Sequence, residues 1–141
     1  NIFGPGMPKN DYRVFPRFFN SIKKKQPITI FKSGKQTRTF CYVTDAITAM
    51  FLVTINGKKF VYNIGNDKPE LNMKKLHQFM QKSLNTKIKS INIEYPNNYP
   101  QVEPQRRCPN ITKLKKEFNF KNRVTIVESI KRFYHWSSRY Y

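Results

Sequence analysis

The chain has 141 residues, of which 38% are hydrophobic and 15% aromatic. This length and composition allow one domain with a buried core and exclude a compositionally disordered chain. The 27 Lys and Arg residues outnumber the 8 Asp and Glu residues, which gives a net charge of +19. Such an excess indicates a polyanionic partner, although lysines scattered over the surface would give the same balance.

The first third of the sequence predicts a loop, a helix and two strands. Glycines and prolines in "NIFGPGMPKND" (1–11) break regular structure. Apolar residues then recur at helical spacing, and Pro16 suits a first helical turn. The predicted elements are a helix over 13–25, a strand at "ITIF" (28–31) and a strand at "TRTFCYV" (37–43).

The middle of the chain predicts two more helices and two more strands. Thr44 and Asp45 are candidate caps for a helix whose apolar part is "AITAMFLV". Apolar residues at helical spacing predict another helix within residues 71–84. The predicted strands are "FVYNIG" (60–65) and "KIKSINIEY" (87–95).

A proline-rich loop and two helices complete the chain. Asn110 is a candidate N-cap for the helix in "NITKLKKEF", and a final helix runs through Ile126, Ile130 and Phe133. Together the elements predict a mixed α+β fold with about five helices, in a single domain over residues 1–141. Several strands are too short to form a complete sheet, so we expect them to need a partner sheet.

The sequence offers no complete catalytic or metal-binding constellation. His77 and His135 lie within helix patterns, where packing or surface roles are expected. Cys41 and Cys108 lie outside any metal-ligand spacing, and we expect reduced thiols in a cytoplasmic protein. "GPG" near the start lacks the strand before it and the helix after it that a dinucleotide fingerprint requires. The chain alone is therefore not predicted to be a complete enzyme.

Arginines at the junctions of predicted elements are the more informative residues. Arg13 opens the first helix, and Arg38 lies in a predicted strand after a glycine turn. Arg106 and Arg107 stand side by side in a proline-rich stretch before a predicted helix. Arginine in such places suits bidentate binding of phosphate or carboxylate, whereas a surface salt bridge is the alternative for each one.

A nucleic-acid-binding module is the alternative class of function. The net charge of +19 fits it. However, the aromatic residues fall mainly at helical core spacing, and no helix-turn-helix, zinc-finger or RNA-recognition signature is present. Core packing is the better interpretation of those rings.

Four phrases in order resemble a known family. "NIFGPGMPKNDYRVFPRF", "GKQTRTFCYVTDAITAM", "VYNIGN" and "EPQRRCPNI…FNF" are similar to the second half of extended short-chain dehydrogenase/reductase enzymes, the NAD-dependent epimerase/dehydratase family. Within it they look most like UDP-glucuronate decarboxylases, which form UDP-xylose. The resemblance runs from Asn1 to about Tyr134. Nucleotide-sugar epimerases and 4,6-dehydratases are the alternatives within the family.

The resemblance implies a Rossmann-type α/β fold in which this chain is the C-terminal, substrate-binding part. The family's NAD-binding domain and its catalytic Tyr-x-x-x-Lys pair would lie upstream of Asn1, so we expect the isolated chain to be inactive. The implied cofactor is NAD, held by that upstream domain, and the implied ligand is a UDP-sugar. A homodimer in the full-length form, with no membrane attachment, is also expected.

The resemblance also assigns site residues. Arg107 matches an arginine that handles the glucuronate carboxylate or the proton step, which makes it the candidate catalytic residue. Tyr12 departs from the decarboxylase pattern, which usually has glycine there, and Asn110 stands where aspartate is common. The positions implied to bind substrate are Asn1, Arg13, Val14, Pro27, Ile28, Thr29, Arg38, Asn63, Arg106 and Arg107.

Overall fold

Helices form most of the regular structure in the computed structural model, which describes residues 1–97, 99 and 103–141. The five helices of that part of the chain are α1 (Val14–Lys23), α2 (Val43–Asn56), α3 (Met73–Leu84), α4 (Thr112–Phe118) and α5 (Ile126–Tyr140). The strands are β1 (Ile2–Phe3), β2 (Ile28–Phe31), β3 (Thr37–Arg38), β4 (Cys41–Tyr42), β5 (Leu71–Asn72), β6 (Ser90–Ile93) and β7 (Arg106–Arg107). The predicted mixed fold with about five helices and short strands is confirmed.

The strands pair in three small groups. β1 pairs in parallel with β4, and β2 pairs in parallel with β6. In the third group β3 is central, antiparallel to β5 and parallel to β7. This pairing places Arg38 opposite both Leu71 and Arg107. The two-residue strand β3 thus holds together β5 and β7, two segments that are far from it in the sequence.

The main core forms where α1, α3 and α5 pack together with β2. The aromatic spacing seen in the sequence of α1 buries Phe15, Phe18 and Phe19, and Pro16 lies in the first turn as predicted. Phe133 of α5 is fully buried, with its ring centroid 4.9 Å from that of Phe19. A smaller core contains Ala49, Ile111, Leu114 and Phe120.

The predicted strand "TRTFCYV" is two strands in different sheets. Residues 37–38 (β3) pair with β5 and β7, whereas residues 41–42 (β4) pair with β1. α2 then begins at Val43, so Thr44 and Asp45 lie inside the helix and do not cap it. The buried carboxylate of Asp45 instead accepts hydrogen bonds from the backbone N–H groups of Arg123 and Val124, at 3.1 and 3.0 Å.

Asp45 is therefore expected to tie α2 to the segment before α5. An Asp45→Ala change leaves two backbone N–H groups without their acceptor, which should lower the free energy of unfolding by about 2 kcal/mol. Urea unfolding monitored by circular dichroism measures this loss. Asp67→Ala is the control, because the carboxylate of Asp67 pairs with Lys115 in a partly exposed position. Equal losses in the two variants would contradict the assigned role of Asp45.

A second difference concerns residues 60–65, which form no strand although "FVYNIG" predicts one. Phe60 and Val61 are exposed, and no strand in the described part of the chain pairs with this segment. The helix before it also exposes apolar residues, because the sequence of α2 is apolar on more than one face. We call these residues the α2 stripe; they are Ile47, Met50, Phe51 and Ile55.

Within the ranges that the structure describes, no helix combines the length and the apolar character that spanning a bilayer would demand.

Candidate functional site

A cleft of about 180 Å³ opens between the start of the chain, α1, β3 and the segment that leads into β7. We call it the arginine cleft. Half of the predicted site residues line it, namely Asn1, Arg13, Val14, Arg38 and Arg107. Positions that are scattered through the sequence therefore meet in one place.

The guanidinium of Arg38 is held by the protein itself. Its Nη1 donates to the carbonyl oxygen of Thr37 at 2.7 Å, and its Nη2 donates to that of Pro104 at 2.7 Å. The same Nη2 forms an ion pair with the carboxylate of Glu103, and Arg38 is only 5% exposed. These contacts fasten the segment before β7 onto β3.

Arg107 is far more accessible than Arg38. Its side chain is 51% exposed and lies 3.9 Å from Oε2 of Glu103, at the outer limit of an ion pair. The same Oε2 accepts a hydrogen bond from the hydroxyl of Tyr99 at 3.3 Å. The carboxylate of Glu103 thus lies between two arginines, in the kind of position that an external anion would occupy.

Arg13 contributes a second exposed guanidinium to the cleft. It stands at the N-cap position of α1, and its Nε donates to Oδ2 of Asp11 at 2.7 Å. Hydrogen bonding from Arg13 lowers the pKa of the Asp11 carboxyl below its usual value. The pair holds Arg13 at the rim, where the side chain remains 54% exposed.

The other predicted residues lie outside the arginine cleft. Arg106 forms a two-pronged pair with Glu70, at 2.9 and 2.8 Å, and lines a second opening beside Arg107. Ile28 is buried in the core, and Pro27 lines a separate depression near α3. The carbonyl of Thr29 accepts a hydrogen bond from Arg17, and Asn63 donates to the carbonyl of Asn110.

The sequence places the arginine pair shortly before a predicted helix, but in the structure the pair does not adjoin that helix. Arg106 and Arg107 form strand β7, and α4 begins only at Thr112. The N-cap of α4 is Ile111 and not the predicted Asn110, although Oδ1 of Asn110 accepts a hydrogen bond from the N–H of Thr112 at 3.0 Å. The pairing of β7 with β3, and not a helix terminus, positions the two arginines.

Arg17, Tyr99 and Glu103 also line the cleft, although the sequence analysis does not single them out. Arg17 of α1 follows the N-cap residue Arg13 by four positions, a spacing that places two side chains on one side of a helix. Burial lowers the pKa of Arg17 to about 10. Its guanidinium carbon lies 3.7 Å from the ring centroid of Phe31.

The glycine turn at residues 4–6 does not match a dinucleotide-binding fingerprint. Strand β1 does precede Gly4, unlike the sequence expectation, but α1 begins only at Val14. Pyrophosphate binding in a dinucleotide fold requires a helix that begins directly after the glycine turn, and no helix begins within residues 5–13. Among the residues with described positions, no cluster of three or more His, Cys, Asp or Glu side chains could hold a metal ion.

Comparisons with known proteins agree with the resemblance drawn from the motifs. Residues 1–65 match the model of the NAD dependent epimerase/dehydratase family. UDP-glucuronic acid decarboxylase 1 of Arabidopsis thaliana is 30% identical over 132 residues, covering 94% of this chain and 29% of the relative. UDP-N-acetyl-alpha-D-glucosaminuronate decarboxylase of Bacillus cytotoxicus is 29% identical, covering 96% of this chain and 43% of the relative.

Solved structures share the fold. UDP-glucuronic acid 4-epimerase from Bacillus cereus, in complex with UDP-glucuronic acid and NAD, matches with a TM-score of 0.84 at 21% identity. That match covers 99% of this chain and 43% of the epimerase. UDP-N-acetylglucosamine 4-epimerase from Methanobrevibacter ruminantium gives a TM-score of 0.86 at 21% identity, covering 100% of this chain and 44% of the epimerase.

The chain is thus related to the NAD-dependent epimerase/dehydratase family, as the motifs indicate. Among the curated relatives, UDP-glucuronic acid decarboxylases of Arabidopsis thaliana recur, with 28–32% identity. The chain spans less than half the length of the relatives described above.

Proposed function

We propose that the arginine cleft binds the diphosphate of a nucleotide sugar. In this proposal the chain is the substrate-binding part of an NAD-dependent UDP-glucuronate decarboxylase. The observation that carries it is the meeting of Arg13, Arg38 and Arg107 around one cleft. The curated decarboxylases support the choice of reaction, and the epimerase solved with UDP-glucuronic acid supports the choice of ligand.

Within the cleft the three arginines would have different tasks. The exposed guanidinium groups of Arg13 and Arg107 would donate to phosphate oxygens, each such contact contributing roughly 1.5–3 kcal/mol. A ligand phosphate would take the place of the Glu103 carboxylate between Arg38 and Arg107. Arg107 would also reach the carboxylate of the sugar, which fits its expected catalytic role. Together these contacts would fix where the sugar ring lies.

NAD would be bound by a separate dinucleotide-binding domain, because the glycine turn in the described residues lacks the helix start that binds pyrophosphate. That cofactor supplies hydride transfer when bound, whereas this chain positions the substrate. The exposed α2 stripe and the unpaired segment 60–65 support a packing partner of that kind. A homodimeric full-length form and a cytoplasmic location remain predictions.

The test is calorimetric titration of the chain with UDP, UDP-glucuronate and dTDP. We expect binding of the UDP ligands, and an Arg107→Ala change should weaken it by about tenfold or more while leaving the unfolding midpoint unchanged. The control is Arg139→Ala, which removes the same charge from the exposed surface of α5, outside the cleft. Equal affinities in the two variants would overturn the assignment of Arg107.

Titration with a random-sequence oligonucleotide at two salt concentrations distinguishes nucleotide-sugar binding from the alternative, a nucleic-acid-binding module. The net charge of +19 favours some attraction to any polyanion. Binding that falls steeply with salt and shows no preference for UDP would support a nucleic-acid-binding module instead. A preference for dTDP over UDP would favour a dehydratase related to the dTDP-glucose 4,6-dehydratase of Bacillus anthracis, whose fold matches with a TM-score of 0.81.

A further inference from the structure

The guanidinium of Arg17 keeps donors that the described residues do not satisfy. Its Nη2 donates to the carbonyl oxygen of Thr29 at 2.9 Å. Its Nε and Nη1 are buried, and no described residue accepts a hydrogen bond from either of them. The ion pairs found among those residues do not include Arg17 either. Buried donors that lack an acceptor are costly, so the arrangement calls for an acceptor from beyond the described residues.

The surroundings of Arg17 indicate what kind of acceptor fits. The guanidinium covers the ring of Phe31 at 3.7 Å, and the centroids of Phe31 and Tyr99 are 4.9 Å apart. We call this part of the arginine cleft its aromatic end. The exposed cations Arg13 and Arg107 belong to the same cleft, where they suit phosphate. A ligand that matches both parts has an anionic portion and a planar, neutral portion that carries carbonyl oxygens.

We infer that Arg17 reads the base of the bound nucleotide by donating from Nε or Nη1 to the carbonyl oxygen at position 4 of the base. This inference rests on the proposed function, because it assigns the other end of the same ligand. Uracil and thymine carry a carbonyl oxygen at position 4, whereas cytosine carries an amino group there. Against cytosine the donors of Arg17 would meet another donor, so the site selects uracil and thymine over cytosine.

The experiment compares UDP with CDP by calorimetry, using the chain and its Arg17→Met variant. Methionine keeps an unbranched apolar stem against Phe31 and removes both unused donors. We expect the chain to bind UDP about tenfold or more tightly than CDP. In the Arg17→Met variant the ratio should fall to about one, with CDP affinity almost unchanged. Lys23→Met, at the exposed end of α1, is the charge-matched control and should keep the preference.

Each other outcome decides between the two proposals. If Arg17→Met retains the preference for UDP, the inference fails and the proposed function stands. An equal loss of UDP and CDP affinity would mean that Arg17 contacts phosphate, which overturns the assignment to the base. If the unaltered chain binds no nucleotide, the proposed function fails together with the inference.

A second measurement does not depend on the variant folding. The Nε–H of Arg17 gives a ¹⁵N–¹H resonance that reports directly on a new hydrogen bond. We expect UDP to shift that resonance and CDP to leave it nearly in place. A shift that is the same with both nucleotides would overturn base recognition by Arg17.

Discussion

An Arg38→Ala variant is expected to unfold with a free energy about 3–5 kcal/mol lower than that of the unaltered chain. The change removes the nearer of the two arginine partners of Glu103 and three hydrogen bonds to backbone carbonyls. Because Arg38 is only 5% exposed, water cannot easily replace those contacts. The segment that leads into β7 would lose its main attachment to β3.

Chemical denaturation of the variant measures this loss, with Arg106→Ala as the matched control. Arg106 also pairs with a glutamate from a neighbouring segment, but its side chain is 63% exposed and we expect little change. A double change, Arg38→Ala with Glu103→Ala, should recover part of the stability, since it also removes the carboxylate that has lost its nearer arginine. Similar losses for Arg38→Ala and Arg106→Ala would contradict the structural role of Arg38.

This result bears on the interpretation of the site. The family resemblance assigns Arg38 to substrate binding, whereas the contacts of its side chain give it a role in stabilising the fold. A large loss of stability means that weakened nucleotide binding in Arg38→Ala cannot be attributed to a missing ligand contact. Arg107 is therefore the better residue for testing binding, because its exposed side chain contributes little to the stability of the fold.

A Phe133→Ala change in α5 is expected to destabilise the chain by about 3–5 kcal/mol. Phe133 is fully buried, so truncation leaves a cavity among side chains that are themselves held by other contacts. Its ring packs against Phe3, Phe15, Phe19, Trp136 and Tyr141.

Thermal and urea unfolding of the Phe133→Ala variant give the magnitude. The adjacent Tyr134→Ala is the control, because Tyr134 is 39% exposed and its loss opens a smaller gap. Phe133→Leu should fall between the two, as it keeps part of the buried volume. If Tyr134→Ala costs as much as Phe133→Ala, α5 does not pack through the face described here.

The helices follow from the sequence because their signal is local. Apolar residues three or four apart in 14–22 and 126–133 predict the buried faces of α1 and α5. The strands are less predictable, because a strand depends on a partner elsewhere in the chain. "TRTFCYV" has the composition of one strand, yet its two halves pair with different partners. Segment 60–65 has a similarly strand-like composition, but no strand in the described part of the chain pairs with it.

The candidate site is predictable to the extent that a motif names its residues. The family phrases include Arg13, Arg38 and Arg107, and the fold brings these three together. They do not reveal that Glu103 neutralises Arg38, because this depends on how a loop returns to β3. They also do not reveal the unused donors of Arg17, since an unsatisfied hydrogen bond is visible only once the surrounding atoms are placed.

The central position of β3 has a consequence for the order in which the molecule assembles. Arg38 and Gln105 are 67 residues apart in sequence, and Thr37 and Glu70 are 33 apart, so the sheet around β3 closes two long loops. Each closure costs chain entropy and gains only a two-residue ladder. We therefore expect the helical core to form first and the cleft rim to close later. Amide protons of β7 should accordingly exchange with solvent well before those at the centre of α5.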